Sequence, residues 1–310
     1  MKSFAAAFAA AFLWSTPALA ADPVADRYAA AMKAARWTGP LLASNAETLP
    51  KGHVYTEPYF FDGISGGDHH PGTSGFYQYG LRDNWTVGVQ PFFSLGTQRH
   101  NREMAVGDFK LLSQVRVSHF TPDHRAPSVA IVTNLVLPTG KDDHLPALKQ
   151  GHGSGSFAPE VGINVQQHFL LGNGRLLRAR VNVLRQFPLR HDVTGRSVYG
   201  TGPDFRGHAR PGSKTTLIAG AEYSLTREWV LAFDVEADAW GRTKVVGRDG
   251  DGDGPRIRST SPRSWNVGVA PAVEYNWSDR AGAIFGVWIV PEGHNTAASV
   301  TPAIAIQRFW

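Results

Sequence analysis

The stretch "EWVLAFDVEADAW", residues 228–240, decides the fold. Trp229, Leu231, Phe233, Val235, Ala237 and Ala239 fall on one parity, and Asp234, Glu236 and Asp238 on the other. A period of two belongs to an extended strand, whose successive side chains point to opposite faces. The acidic face needs water or partners, because an isolated ionised carboxylate is costly to bury. Alternation alone suits a soluble sandwich as well as a membrane barrel. Length separates the two. This run has 13 residues, above the globular mode of roughly 5–6 and enough for a tilted membrane crossing of roughly 9–11.

The pattern recurs outward from there. In "DFKLLSQVRVSHF" (108–120), Phe109, Leu111, Val115 and Val117 oppose Asp108, Lys110, Gln114 and Arg116. In "SWNVGVAPAVEYNW" (264–277), Trp265, Val267, Val269, Pro271, Val273 and Tyr275 oppose Asn266, Glu274 and Asn276. The stretch "SVTPAIAIQRFW" (299–310) sets Val300, Pro302, Ile304, Ile306 and Trp310 against Thr301, Ala303, Ala305 and Gln307. Twelve strands are expected, at 52–61, 74–82, 85–95, 106–119, 127–138, 158–170, 175–187, 214–225, 228–240, 263–277, 280–290 and 299–310.

Their connections alternate. Tight ones at 83–84, 121–126, 171–174, 226–227 and 278–279 interleave with longer ones at 62–73, 96–105, 139–157, 188–213, 241–262 and 291–298. Outer-membrane barrels have short periplasmic turns, long extracellular loops and an even strand number. The expected class is therefore all-β, a transmembrane antiparallel β-barrel over 51–310. Aromatics mark two girdles: Trp85, Phe120, Phe169, Trp229, Trp277 and Trp310 by the short turns, Phe61, Phe93, Phe187, Trp240 and Trp288 by the long loops. Phe309-Trp310 also resembles the C-terminal aromatic signal by which such proteins reach the barrel-assembly machinery, an expected partner alongside outer-membrane lipid.

Residues 1–20 read as a secretory signal peptide, with Lys2, an apolar run from Phe4 to Trp14 and Ala18-Leu19-Ala20. Residues 22–36 are a short amphipathic helix and 37–50 are irregular, punctuated by Pro and Gly. Together 21–50 form a candidate periplasmic plug. The chain has 310 residues, 33 glycines, no cysteine and a formal charge of +5. Absent cysteine excludes disulfides, thiolate catalysis and Cys-based metal sites. The modest charge excludes nucleic acid as an expected partner. Mean hydropathy of -0.22 fits a barrel with a polar lumen as well as a soluble protein.

"WTGPLLASNAETLPKGHVYTEPYFF" (37–61), "VGDFKLLSQVRV" (106–117), "NLVLPTGKDD" (134–143) and "GHGSGS" (151–156) occur in this order. Together they resemble the outer-membrane transporters of the MetA-pathway phenol-degradation family. The resemblance implies a channel, and solutes of aromatic type, with no catalytic residues to carry over.

The candidate pore-lining residues are Lys110, Arg116, Arg178, Arg180, Glu222, Asp234, Glu236, Asp238 and Glu274. Such faces imply either a charge-segregated pore acting on polar solutes or neutralising pairs between strands. Asp249, Asp251 and Asp253 have calcium-like spacing, but Thr260 stands where an EF-hand requires glutamate. No organic cofactor is implied. Ser118 and His119 point to opposite faces, and His152 with Ser154 and Ser156 lie in a Gly-rich loop without an evident orienting group. The expected function is a non-enzymatic outer-membrane channel for small solutes, possible substrates including hydrophobic or aromatic compounds. The alternatives are a structural or adhesive barrel with a sealed lumen and a barrel-embedded hydrolase.

Overall fold

The computed structural model describes residues 23–95, 104–123, 125–146, 151–250 and 253–310. The expected signal peptide lies outside them. Among the described residues, one helix, α1 (Pro23–Ala34), precedes eighteen strands. These are β1 (Val54–Ser65), β2 (Asp68–Arg82), β3 (Trp85–Gln90), β4 (Phe92–Leu95), β5 (Met104–Val106), β6 (Phe109–Ser118), β7 (Ser128–Leu137), β8 (Ala158–Leu170) and β9 (Leu176–Gln186). Then come β10 (His191–Thr194), β11 (Arg206–Arg210), β12 (Lys214–Ser224), β13 (Trp229–Trp240), β14 (Lys244–Arg248), β15 (Arg256–Thr260), β16 (Ser264–Ser278), β17 (Ala281–Val290) and β18 (Ser299–Phe309).

Twelve of these form a closed ring in the order β1-β2-β3-β6-β7-β8-β9-β12-β13-β16-β17-β18, every pairing antiparallel. Closure comes from β1, which pairs with β2 on one side and β18 on the other. A ring has no free edge, so every wall strand satisfies its backbone on both sides, as a lipid environment demands. No described helix is long and apolar enough to cross a membrane.

The wall is inside out relative to a soluble protein. On β13, Leu231 and Phe233 are 48% and 47% exposed, whereas Asp234 between their neighbours is 0% exposed. A sandwich would bury the apolar parity. Here lipid covers it, and the charged parity lines the lumen.

Two expectations about the long connections need correction. Segment 62–73 is not a loop: β1 and β2 stay in register from Val54 opposite Tyr79 to Ser65 opposite Asp68. Gly66 and Gly67 turn the chain at φ 59° and 84°, the two consecutive positive angles that suit a two-residue hairpin and favour glycine. Segments 188–213 and 241–262 are not irregular throughout either. They carry β10, β11, β14 and β15, a second sheet of four strands above the long-loop rim. Val193, Phe205, Ala209 and Val245 form its small core.

The third and fourth wall strands are broken. Pro91 separates β3 from β4, and Gly107-Asp108 separates β5 from β6. Asp108 gathers three of the motifs. Its carboxylate accepts hydrogen bonds from the Gly140 N–H (3.0 Å), the Ser154 N–H (2.7 Å) and the Ser154 hydroxyl (2.7 Å). Gly140 and Gly153 meet so closely that an added Cβ on Gly140 would sit 2.6 Å from the Gly153 Cα.

Candidate functional site

Residues 36–50 lie inside the barrel. This segment has no periodic pattern because no strand or helix pairs with it; wall side chains satisfy its backbone. It enters beside two short turns, where the Arg36 N–H donates to the Arg227 carbonyl (3.1 Å) and Arg36 Nε donates to Asp279 (2.6 Å). On β16, Glu274 Oε2 accepts the N–H groups of Thr38 (2.7 Å) and Gly39 (3.3 Å). On β13, Asp234 accepts the Leu42 N–H at 2.9 Å.

The segment then passes β9. Arg180 donates to the Ala43 carbonyl (2.7 Å), and Asn182 both accepts from the Ser44 N–H (2.8 Å) and donates to the Ser44 carbonyl (3.1 Å). It leaves at β3, where Thr86 Oγ1 accepts the Leu49 N–H (2.8 Å), and at the adjoining turn, where Thr48 donates to the Asp83 carbonyl (2.7 Å). In the ring β13 stands six places from β3, and β16 six places from β6. The segment therefore spans the lumen along a diameter.

Glycine makes room for it. A Cβ on Gly220 of β12 would lie 2.4 Å from the Asp234 carboxylate and 2.7 Å from the Ala43 side chain. The apolar side chain of Leu41 fills a pocket of Ala270, Ile284, Ala303 and Ala305. Helix α1 stays outside at the short-turn end: the Tyr28 ring lies tilted against Phe120 with centres 5.9 Å apart, and its hydroxyl accepts the Leu170 N–H (3.1 Å).

All nine sequence-derived lumen residues sit on the inward parity, each at least half-buried. Arg178 grips Glu222 with Nε (2.7 Å) and a terminal nitrogen, and Arg180 Nε approaches the same carboxylate at 3.2 Å. Arg178 also lies over the Trp37 ring, 4.6 Å from its centre. Lys110 pairs with Glu160 at 3.2 Å, and Asp238 with Lys214 at 2.9 Å. Arg116 pairs with Glu47 of the crossing segment, while Glu236 lies buried beside Asp238. The walls are thus bridged locally, strand to strand and wall to segment, more than they are divided into an acidic and a basic half.

Glu47 is the main charged anchor of the segment. Its carboxylate accepts from Ser128, Arg116 and, at 2.9 Å, His119. Burial acts to raise its pKa, but those three hydrogen bonds outweigh burial and hold it below the ordinary carboxylate value.

Sequence reading missed Glu47, Glu57, Glu160, Asn164 and Asn182. Glu57 of β1 is buried in the lumen wall. Asn164, on β8, donates to Gln114 at 2.8 Å and receives the Asn182 amide at 2.9 Å. The signal was present, since Glu160, Asn164 and Gln166 share the inward parity of their strand.

The metal and hydrolase readings gain no geometry. Asp251 lies outside the described residues, and among the described residues no three His, Asp or Glu side chains gather as metal ligands. Ser118 donates to the Pro127 carbonyl and His119 faces Glu47. His152 reaches Ser94 at 2.9 Å, whereas Ser154 serves Asp108.

No family model matches the chain, and no curated protein does. Solved structures do. The crystal structure of the COG4313 outer membrane channel from Pseudomonas putida F1 overlays with a TM-score of 0.58 at 13% identity, covering 88% of this chain and 100% of that one. The NanC porin overlays more loosely, with a TM-score of 0.49 at 8% identity over 81% and 98% of the two chains. The toluene transporter TodX of Pseudomonas putida gives 0.38 at 14% identity over 89% and 95%. The first overlay establishes the shared fold, and the two looser ones add no argument to it. With its lipid-type exterior, the chain is a barrel of the Gram-negative outer membrane.

Proposed function

We propose that the barrel is a channel for small solutes, and that residues 36–50 are its internal plug. The observation that carries this reading is the nature of the obstruction. The wall side chains do not occupy the lumen alone. An irregular backbone crosses it, held by hydrogen bonds to Glu274, Asp234, Arg180 and Asn182. Such bonds exchange for bonds to water at modest net cost, about 1.5–3 kcal/mol each when one partner is charged. The similarly folded Pseudomonas protein is described as an outer membrane channel, which supports the class of function. Apolar or aromatic solutes with polar handles are the proposed cargo, and the resemblance to the phenol-degradation family supports that choice. In this reading the nine charged lumen residues line the path once the plug moves, and the protein is not an enzyme.

A second reading has its own observation. Glu274, Asp234 and Glu222 each already hold a partner, which favours a sealed structural barrel. Planar-bilayer recording of the intact chain and of a form lacking 22–50 separates the two. Larger conductance steps from the truncated form support the channel, and silence from both supports the sealed barrel.

A further inference from the structure

At the long-loop rim the outer surface changes chemistry within two residues. Val183, Leu217, Ala237 and Val267 stand side by side on β9, β12, β13 and β16, an apolar row on the lipid face. Two residues nearer the rim, roughly 6.6 Å along the strands, the same outward row reads Arg185, Thr215, Ala239 and Trp265. Just above lies a recess of about 750 Å³ on the outside of the barrel. Five cations line it, Arg185, Arg210, Arg242, Lys244 and Arg263, without a single carboxylate.

The cations are arranged rather than scattered. Arg185 donates to Ser213 Oγ at 2.6 Å and to Thr215, and lies over the Phe187 ring at 5.7 Å. Arg210 and Lys244 stand directly opposite each other in the β11–β14 pairing. Like charges directly opposite destabilise a sheet. An anion held between them removes that penalty and gains charge-assisted hydrogen bonds.

We infer that this recess binds the phosphate of an acylated, phosphorylated sugar lipid of the outer leaflet, with its acyl chains along Val183, Leu217 and Val267. Two features select that occupant. The cations demand a multiply charged anion, and the recess opens without a break on to the lipid-facing wall. The long-loop end of such barrels faces the extracellular leaflet, so the phosphate lies at the height where that leaflet carries it. A free anion would use the charge and leave the apolar row idle.

The test titrates the full barrel in detergent with diphosphorylated lipid A, fully dephosphorylated lipid A and inorganic pyrophosphate, read by native mass spectrometry. Lipid A is expected to bind most tightly, less so as salt rises. Arg185→Ala/Arg210→Ala/Lys244→Ala should weaken it about tenfold or more, as expected for losing charge-assisted bonds. The charge-preserving Arg210→Lys/Lys244→Arg should keep most of the affinity. If the triple variant fails to show heat-modifiable migration, Arg210→Glu, on a strand outside the wall, is read instead. Equal binding of the dephosphorylated lipid, displacement of lipid A by equimolar pyrophosphate, or unchanged affinity in the variants overturns the inference.

Discussion

The backbone N–H of Thr38 donates to the carboxylate of Glu274 at 2.7 Å, although 236 residues separate them in the chain. That single bond ties the start of the crossing segment to the wall opposite the strand where the segment leaves. Glu274→Ala removes the acceptor of both Thr38 and Gly39. The expected outcome is at least tenfold faster amide exchange at Thr38 and Gly39, corresponding to about 1.4 kcal/mol or more of lost protection. Exchange read by mass spectrometry, with the β13–β16 amides unchanged, checks it. Equal exchange in variant and parent would refute the anchoring role.

Gly220 offers an opposite manipulation, because it adds an obstacle where the first variant removes a bond. A Cβ there meets Ala43 at 2.7 Å and the Asp234 carboxylate at 2.4 Å. Gly220→Val should push the segment off the wall and raise bilayer conductance towards that of the form lacking 22–50. A conductance equal to the parent's would show that the segment does not limit the current.

The shared carboxylate of Glu222 makes a stability prediction. Arg178→Leu leaves one cation on a fully buried acid that held two. Breaking a buried pair costs about 3–5 kcal/mol, mostly from the uncompensated charge. Urea unfolding in lipid vesicles measures it. Arg178→Leu/Glu222→Leu leaves Arg180, itself buried, without that carboxylate, so it should recover only part of the loss, and a double variant as stable as the parent would contradict this account.

Glu47 sets a pH dependence. Its pKa is lowered on folding, so the stability it adds is fully present above the unfolded carboxylate value of 4.5 and is lost as pH falls through the lower folded value. The penalty of Glu47→Gln should therefore be complete at about pH 6 and shrink in acid below that unfolded value. Paired unfolding curves of parent and variant at both pH values test the sign, and a penalty that grows in acid would reverse it.

Trp310 pairs with Val54 in both directions, its N–H donating to the Val54 carbonyl at 2.9 Å and its carbonyl accepting the Val54 N–H at 3.4 Å. Phe309 stacks on His53 at 5.0 Å. Removing Phe309 and Trp310 takes away the last rung of the seam between β18 and β1. The proposed loss is in membrane insertion, seen as less heat-modifiable, protease-resistant barrel in the outer-membrane fraction. A normal yield of folded barrel would count against it.

The wall was legible because lipid outside and water inside impose one pattern on every strand. The run 228–240 carries that rule in its alternating Trp, Leu, Phe and Asp, Glu. The hairpin 62–73 was harder to read, since "DGISGGDHHPGT" stands beyond the lipid and no longer needs an apolar face. The four loop strands are short, and only β10, β11, β14 and β15 together make a core. The path of 36–50 had no local signal. Its hydrogen bonds are to Glu274, Asp234 and Asn182, and nothing near residue 40 encodes those distant acceptors. Asp108 shows the same limit: its motif was visible, but not that it would hold Gly140 and Ser154.

Through a turn at Lys51-Gly52 the crossing segment continues into β1, which is itself a stave of the ring. Its far end meets α1 at the short-turn mouth. A pull on α1 from that side would load Arg36 first, then Thr38, then Leu42, then Ser44, each bond failing before the next bears force. The segment would peel like a strip of tape, whereas the strands of the wall, loaded lengthwise and in parallel, would resist as a sheared seam. In the proposed reading, the plug is drawn out by a force far below the one that would tear the barrel open.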